Sequence, residues 1–226
     1  MRLDRPLLLT LLATLAALAL FAAAPGIDLA AAALFHDGRA FVGRTRAGEA
    51  ARIVFYVMPF LILVGALALW AAGRMGWMRP RLSGAAALWL VLTMAAGPGL
   101  LVNLILKEHS HRPRPGHVAE FGGVATFRPV GRLDGACAKN CSFVSGEAAA
   151  AAWTLAPALL TPPPMRAGWV AASMIFAAAT GALRMSFGGH FLSDVVLAIL
   201  FTALIVLTSR AAFFQHMFLR GKPPSL

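Results

Sequence analysis

The stretch Arg184-Met-Ser-Phe-Gly-Gly-His190-Phe-Leu-Ser-Asp194 carries three side chains whose types and spacing suit nucleophilic chemistry on an anion. His190 and Asp194 are four residues apart, so on a helix they share one face. A carboxylate one turn from an imidazole can hold the ring in one tautomer and leave its other nitrogen free to attack. Arg184 lies just upstream, where a forked guanidinium can grip a phosphate. Two further polar clusters interrupt otherwise apolar sequence. Lys107-Glu-His-Ser-His-Arg-Pro-Arg114-Pro115 offers a point charge and a second fork, with Pro113 and Pro115 stiffening the segment that presents Arg114. Cys141-Ser-Phe-Val-Ser145-Gly146-Glu147 ends where an Ala-rich helix begins. The backbone N–H groups of such a start face an anion, the dipole favours negative charge, and Gly146 lets the backbone come close.

The elements that must position these clusters are apolar. The chain has 226 residues, 59% of them hydrophobic and only 13% charged, which excludes an ordinary soluble domain. The reading is an all-α polytopic membrane protein, one domain over residues 1–226 built as a six-transmembrane-helix bundle. Spans are predicted at about 6–24, 53–72, 85–106, 147–160, 167–183 and 191–208. The first reads as a span rather than a cleaved leader, because its apolar run exceeds the usual signal core. Residues 25–52 read as an interfacial segment in which Asp28 caps a short amphipathic helix. Gly97-Pro98-Gly99 kinks the third span, and the short, Ala-rich fourth packs inside the bundle. Residues 107–146 form the long polar loop, and 209–226 a basic tail, partly disordered beyond Gly221.

Six spans place both termini on one side. Arg2, Arg5, Arg74, Arg79, Arg81, Arg166, Arg210, Arg220 and Lys222 fall there, and the positive-inside rule makes it cytoplasmic. The three chemical clusters then share the outer, periplasmic face. Cys137 and Cys141 would meet an oxidising compartment, where they either pair or remain free thiols. The net charge of +11 lies in short loops between spans, so anionic lipid and phosphate are the expected partners rather than nucleic acid. Three cations and a helix start around one histidine can neutralise a phosphoryl group in transfer, with His190 attacking phosphorus and a phosphohistidine hydrolysed afterwards. That chemistry calls for no metal or cofactor, and no obligate protein partner is evident.

These clusters resemble the membrane-bound type 2 phosphatidic acid phosphatase superfamily, which is related to vanadium haloperoxidases and bacterial acid phosphatases. Its signature is K-x6-R-P, then P-S-G-H, then S-R-x5-H-x3-D. Lys107, Arg114 and Pro115 match the first motif, and Arg184, His190 and Asp194 the third, with Leu183 in place of Ser. The resemblance covers about residues 53–208. It implies His190 as nucleophile, Asp194 as its orienter, and Lys107, Arg114, Ser145, Gly146 and Arg184 as the phosphate site. The second motif departs, reading Val144-Ser145-Gly146-Glu147 where the family has His last. The family's histidine protonates the leaving oxygen. Here that proton comes from Glu147 as general acid or carrier, or else from His109, His111 or His117.

The Cys-x3-Cys-Ser-Phe-Val-Ser-Gly-Glu run is similar to the lipid A 4′-phosphatase subgroup, which implies a lipid phosphomonoesterase of the bacterial inner membrane acting on a sugar-linked phosphate. His109, His111, Arg128 and Arg132 are candidate head-group contacts. Other readings are an undecaprenyl diphosphate or glycerophospholipid phosphatase, a lipid phosphotransferase, and a non-catalytic binder or transporter of anionic lipid.

Overall fold

The computed structural model describes residues 4–219; the expectation of disorder beyond Gly221 lies outside them. Among the described residues the regular structure is helical, with two isolated β-bridges. Five helices are long and apolar enough to cross a membrane. The first is α1 (Arg5–Ala23), which starts where Asp4 accepts from the Leu7 N–H and Pro6 sits in the first turn. The short α2 (Gly26–Ala33) follows. The second long helix is α3 (Arg46–Arg74), capped by the Thr45 hydroxyl at Gly48 N–H, with Glu49 in its first turn. It therefore begins seven residues before the expected span at 53, because the cap and not the onset of apolar residues sets its start. Most of α3 is exposed along its length, including Ile53, Leu61 and Val64, as a lipid-facing helix would be.

The third long helix is α4 (Gly84–Met94), which runs on through a π-helical segment, Ala95–Leu106, into the single turn α5 (Lys107–His109). Pro98 cannot donate to the ladder. The wider π turn accommodates it, and the Asn103 side-chain amide donates to the Pro98 carbonyl at 2.8 Å. The last two long helices are α8 (Pro163–Ser186) and α9 (Leu192–Leu219), the second of which takes up residues expected in the tail.

The fourth expected span is not one helix. It divides into α6 (Gly146–Trp153) and α7 (Leu155–Leu159), broken at Thr154. Six residues of α6, Ala148 to Trp153, are buried, against α3, the π segment, α8 and α9. Alanines allow this approach, since they add little bulk between helices. Trp153 donates to the Thr93 hydroxyl at 3.0 Å, which anchors α6 to α4. Enclosure replaces length here. A segment packed on all sides need not match the hydrocarbon thickness on its own.

Candidate active site

The three clusters meet at one end of the bundle. Arg184 lies in the last turn of α8, and the chain then reverses through Gly188, at φ +64, whose Cβ would run into the Phe41 ring. The reversal delivers His190, 2% exposed, directly before α9. Its Nδ1 lies 2.7 Å from the Ser142 carbonyl oxygen. A carbonyl only accepts, so Nδ1 carries the proton and Nε2 keeps its lone pair. Burial, then the charges of Lys107, Arg184 and Arg114, keep the imidazole pKa well below its usual value, and hence the ring neutral.

Asp194 does not bind the ring as the one-turn spacing suggested. Its Oδ2 is 3.9 Å from His190 Nδ1, beyond hydrogen-bond reach. Oδ2 instead accepts from the Ser142 hydroxyl at 2.5 Å and from Phe191 N–H at 2.8 Å. The second contact closes the start of α9 in the manner of a capping box. Asp194 therefore reaches His190 through Ser142, whose carbonyl orients the ring.

The other oxygen of Asp194 accepts from Arg112 Nη1 at 2.6 Å, and Arg112 Nη2 donates to Asp28 at 2.7 Å. Arg112 Nε donates to the Arg128 carbonyl and Nη1 also to the Ser193 hydroxyl. The two aspartates hold the Arg112 pKa above its ordinary value even though burial acts the other way and is the larger single effect. Asp28 accepts from the Ser193 N–H and hydroxyl at 2.8 and 2.6 Å. It thus caps α9 instead of its own short helix, and α2 acquires a role in the site.

Lys107 and Arg114 lie together, both against Asn140. Lys107 Nζ donates to its Oδ1 at 3.3 Å, and Arg114 Nε and Nη2 to its carbonyl at 3.2 and 2.8 Å. Ser145 is placed at the helix start but does not offer its N–H outward. That N–H donates to the Asp194 carbonyl at 3.1 Å, and its hydroxyl accepts from Ala148 N–H. Gly146 does allow close approach, since a Cβ there would lie 2.6 Å from Asn103 Oδ1 and 3.3 Å from Lys107 Nζ.

Glu147 Oε1 accepts from Arg52 Nε and Nη2 at 3.1 and 3.0 Å. Arg184 Nε is 3.3 Å from the same oxygen without the alignment of a hydrogen bond, and it has no other partner. Glu147 Oε2 is likewise buried and unpartnered. Buried polar atoms are rarely left so, and here a donor and an acceptor are free side by side. Lys107, Gly146 and Glu147 line the polar end of a 480 Å³ cavity whose other walls include Tyr56, Phe60, Met94 and Pro98.

The remaining expected contacts lie elsewhere. His109 is exposed, its ring against the Ile105 carbonyl, and His111 Nδ1 donates to the Cys137 carbonyl at 2.9 Å. Arg128 and Arg132 pair with Asp134. Cys137 and Cys141 form a disulfide. Residues missed from sequence are Arg52, Arg112, Asp28, Ser142 and Asn140. Arg112 sits inside the first polar run, so its proximity was the available signal. For Asp28, 84 residues away from Arg112, there was none.

The chain belongs to the PAP2 superfamily, which it matches over residues 86–218. It is 38% identical over 214 residues to the lipid A 4′-phosphatase of Rhizobium leguminosarum, covering 85% of this chain and 92% of that one. The lipid A 4′-phosphatase of Rhizobium etli is 37% identical over 214 residues, 85% of this chain and 83% of its own. That of Francisella tularensis subsp. novicida is 41% identical over 113 residues, 49% of this chain and 50% of its own. No solved structure matches the chain significantly.

Two outcomes follow from this geometry. Arg112→Met strands two buried carboxylates and is expected to destabilise the fold by roughly 3–5 kcal/mol, read as a lowered thermal midpoint in detergent. A midpoint unchanged from wild type contradicts the buried triad. The second concerns pH. In the unfolded chain an imidazole titrates near ~6.5, whereas folded His190 resists protonation to lower pH. The unfolded state then binds more protons, so stability falls as pH drops below about 6.5 toward the folded value. His190→Gln is expected to make that acid-side fall of the midpoint shallower, and an equal slope contradicts the buried neutral ring.

Proposed function

We propose that this protein is a lipid phosphatase that removes the 4′-phosphate of lipid A at the periplasmic face of a bacterial inner membrane. The observation that carries the reading is His190, held as the Nδ1–H tautomer by Ser142 at the end of the bundle where Lys107, Arg114 and Arg184 converge. The substrate is taken from the names of the relatives. A cavity polar at Lys107 and Glu147 and apolar at Tyr56, Phe60 and Met94 suits a phosphate on a lipid. The membrane side rests on Arg79 and Arg81 in the loop between α3 and α4, on Arg74 at the end of α3 and on Arg166 in the first turn of α8, all at the opposite end.

In the proposed reaction His190 Nε2 attacks phosphorus as the bond from phosphorus to the sugar oxygen breaks, giving a phosphohistidine and an alcohol. Water then attacks phosphorus, releasing inorganic phosphate and restoring His190. The cations offset charge on the equatorial oxygens throughout, and Arg184 Nε is a donor already free for one of them. The leaving oxygen needs one proton, and the attacking water later gives one up. A phosphate monoester titrates near ~6, so the substrate brings a proton part of the time. Glu147 Oε2 is the free acceptor that can take it, pass it to the leaving oxygen, and recover one from water.

The test is release of phosphate from bis-phosphorylated lipid A by purified protein, with mass spectrometry locating the lost group. His190→Ala is expected to abolish turnover and Glu147→Gln to lower kcat by roughly 10²–10⁴-fold. Full turnover in His190→Ala overturns the nucleophile. Binding of lipid A by the wild type without turnover overturns the phosphatase in favour of a carrier.

A further inference from the structure

The contacts of Asn140 have no part in the chemistry above, yet they meet both cations of the first motif. Asn140 lies inside the ring closed by the Cys137–Cys141 disulfide. Its backbone carbonyl accepts from two nitrogens of one edge of Arg114, and its side-chain oxygen from Lys107 Nζ. A guanidinium has five N–H donors in a fixed fork. With Nε and one hydrogen of Nη2 engaged, the Nη1/Nη2 edge is left with a parallel pair of N–H groups, the arrangement that grips a phosphate bidentately. Lys107 keeps two of its three donors. The contacts therefore orient the cations without using up their phosphate-binding capacity.

The ring is itself strapped to the segment that bears those cations. Cys141 N–H donates to the Lys107 carbonyl at 3.2 Å, Cys137 N–H to the His111 carbonyl at 3.1 Å, and Ser142 N–H to the Arg112 carbonyl at 2.9 Å. The His111 ring returns a bond to the Cys137 carbonyl at 2.9 Å. His111 and Asn140, at φ +50 and +51, are the two non-glycine positions of left-handed backbone among the described residues, and both lie in this pairing. Asparagine tolerates that conformation better than most residues, and here it aims the carbonyl at Arg114. Local strain of this kind persists where the surroundings over-determine it, which a closed ring and four cross-segment bonds do.

We propose that Asn140, held by the disulfide ring, is a positioning residue that fixes Lys107 and Arg114 for the substrate phosphate, so that phosphate affinity depends on the oxidised state of Cys137 and Cys141. The proposal rests on the phosphatase reading and deepens it. It also gives the disulfide a purpose suited to an oxidising compartment.

The experiment titrates full-length protein in detergent with inorganic phosphate by calorimetry, a readout independent of turnover, and measures kcat and KM on lipid A beside it. Asn140→Gly keeps the left-handed backbone and removes the Lys107 contact, and is expected to weaken phosphate binding roughly tenfold. Asn140→Val also disfavours that backbone and so moves the carbonyl off Arg114, with an expected loss of roughly 10²-fold. Reduced wild type and the Cys137→Ala/Cys141→Ala protein should show equal weakening, carried in KM more than in kcat, and the double variant should not respond to reductant. Phosphate affinity within twofold of wild type in Asn140→Gly, Asn140→Val and the reduced protein overturns the proposal. So does a thermal midpoint that falls in step with affinity across all variants, which marks a role in folding alone. If Asn140 variants lose phosphate affinity while His190→Ala retains turnover, the positioning role stands and the His190 mechanism fails.

Discussion

Arg112, buried with 1% of its side chain exposed between two fully buried carboxylates, is the interaction on which the site depends. Charges taken out of water cost several kcal/mol each unless geometry and hydrogen bonding are close to complete. Here they are. Each of the three guanidinium nitrogens has an acceptor at 2.8 Å or less, and the cation lies 4.6 Å from the centre of the Phe191 ring. The cluster joins α2, the polar loop and the start of α9, three pieces of chain that share no local sequence. Its consequence for chemistry is transmitted in three steps. Arg112 fixes Asp194, Asp194 fixes Ser142, and the Ser142 carbonyl sets the tautomer of His190. A carboxylate in direct contact with the ring would do the same with one residue fewer, but here it is occupied as the anchor of a helix start.

The bundle below makes such a cluster affordable. Long apolar helices take their place by the hydrophobicity of their faces, and the small residues of α6 let α8 and α9 close around it. The π segment widens the third long helix at Pro98, and the Asn103 side-chain amide donates to the Pro98 carbonyl. Both features border the cavity beneath Lys107, so the irregular backbone sits where a polar group must be brought down into an apolar setting.

Spacing revealed what lies within one element or at its end. The motifs from Lys107 to Pro115 and from Arg184 to Asp194 were legible because each keeps its chemistry inside a few residues. The apolar runs were legible because hydrocarbon thickness demands them. What stayed hidden was of two kinds. Contacts between distant segments leave no local period, so Asp28 read as a cap for its own helix and Arg52 as part of an interfacial segment. Enclosure also hides length, and residues 147–160 read as one span although Thr154 divides them. The one-turn distance between His190 and Asp194 was correct in sequence and misleading in space, because the carboxylate turned toward Ser142 and Arg112.

Glu147 carries the remaining chemical weight. It stands where the family has a histidine, and Arg52, from outside the family's motifs, meets it with two donors. The pair sets a carboxylate and a guanidinium at this position, and it leaves Oε2 and Arg184 Nε without hydrogen-bond partners. The step on which the proposed reaction turns, however, is covalent and takes place at His190. Rapid quench of the enzyme with 4′-phosphorylated lipid A, followed by peptide mapping under alkaline conditions that preserve phosphoramidates, tests it most directly. The expected result is a phosphoryl group on His190 Nε2, labile to acid and absent from His190→Ala. Turnover with no label on His190, or with label on another residue, would contradict it.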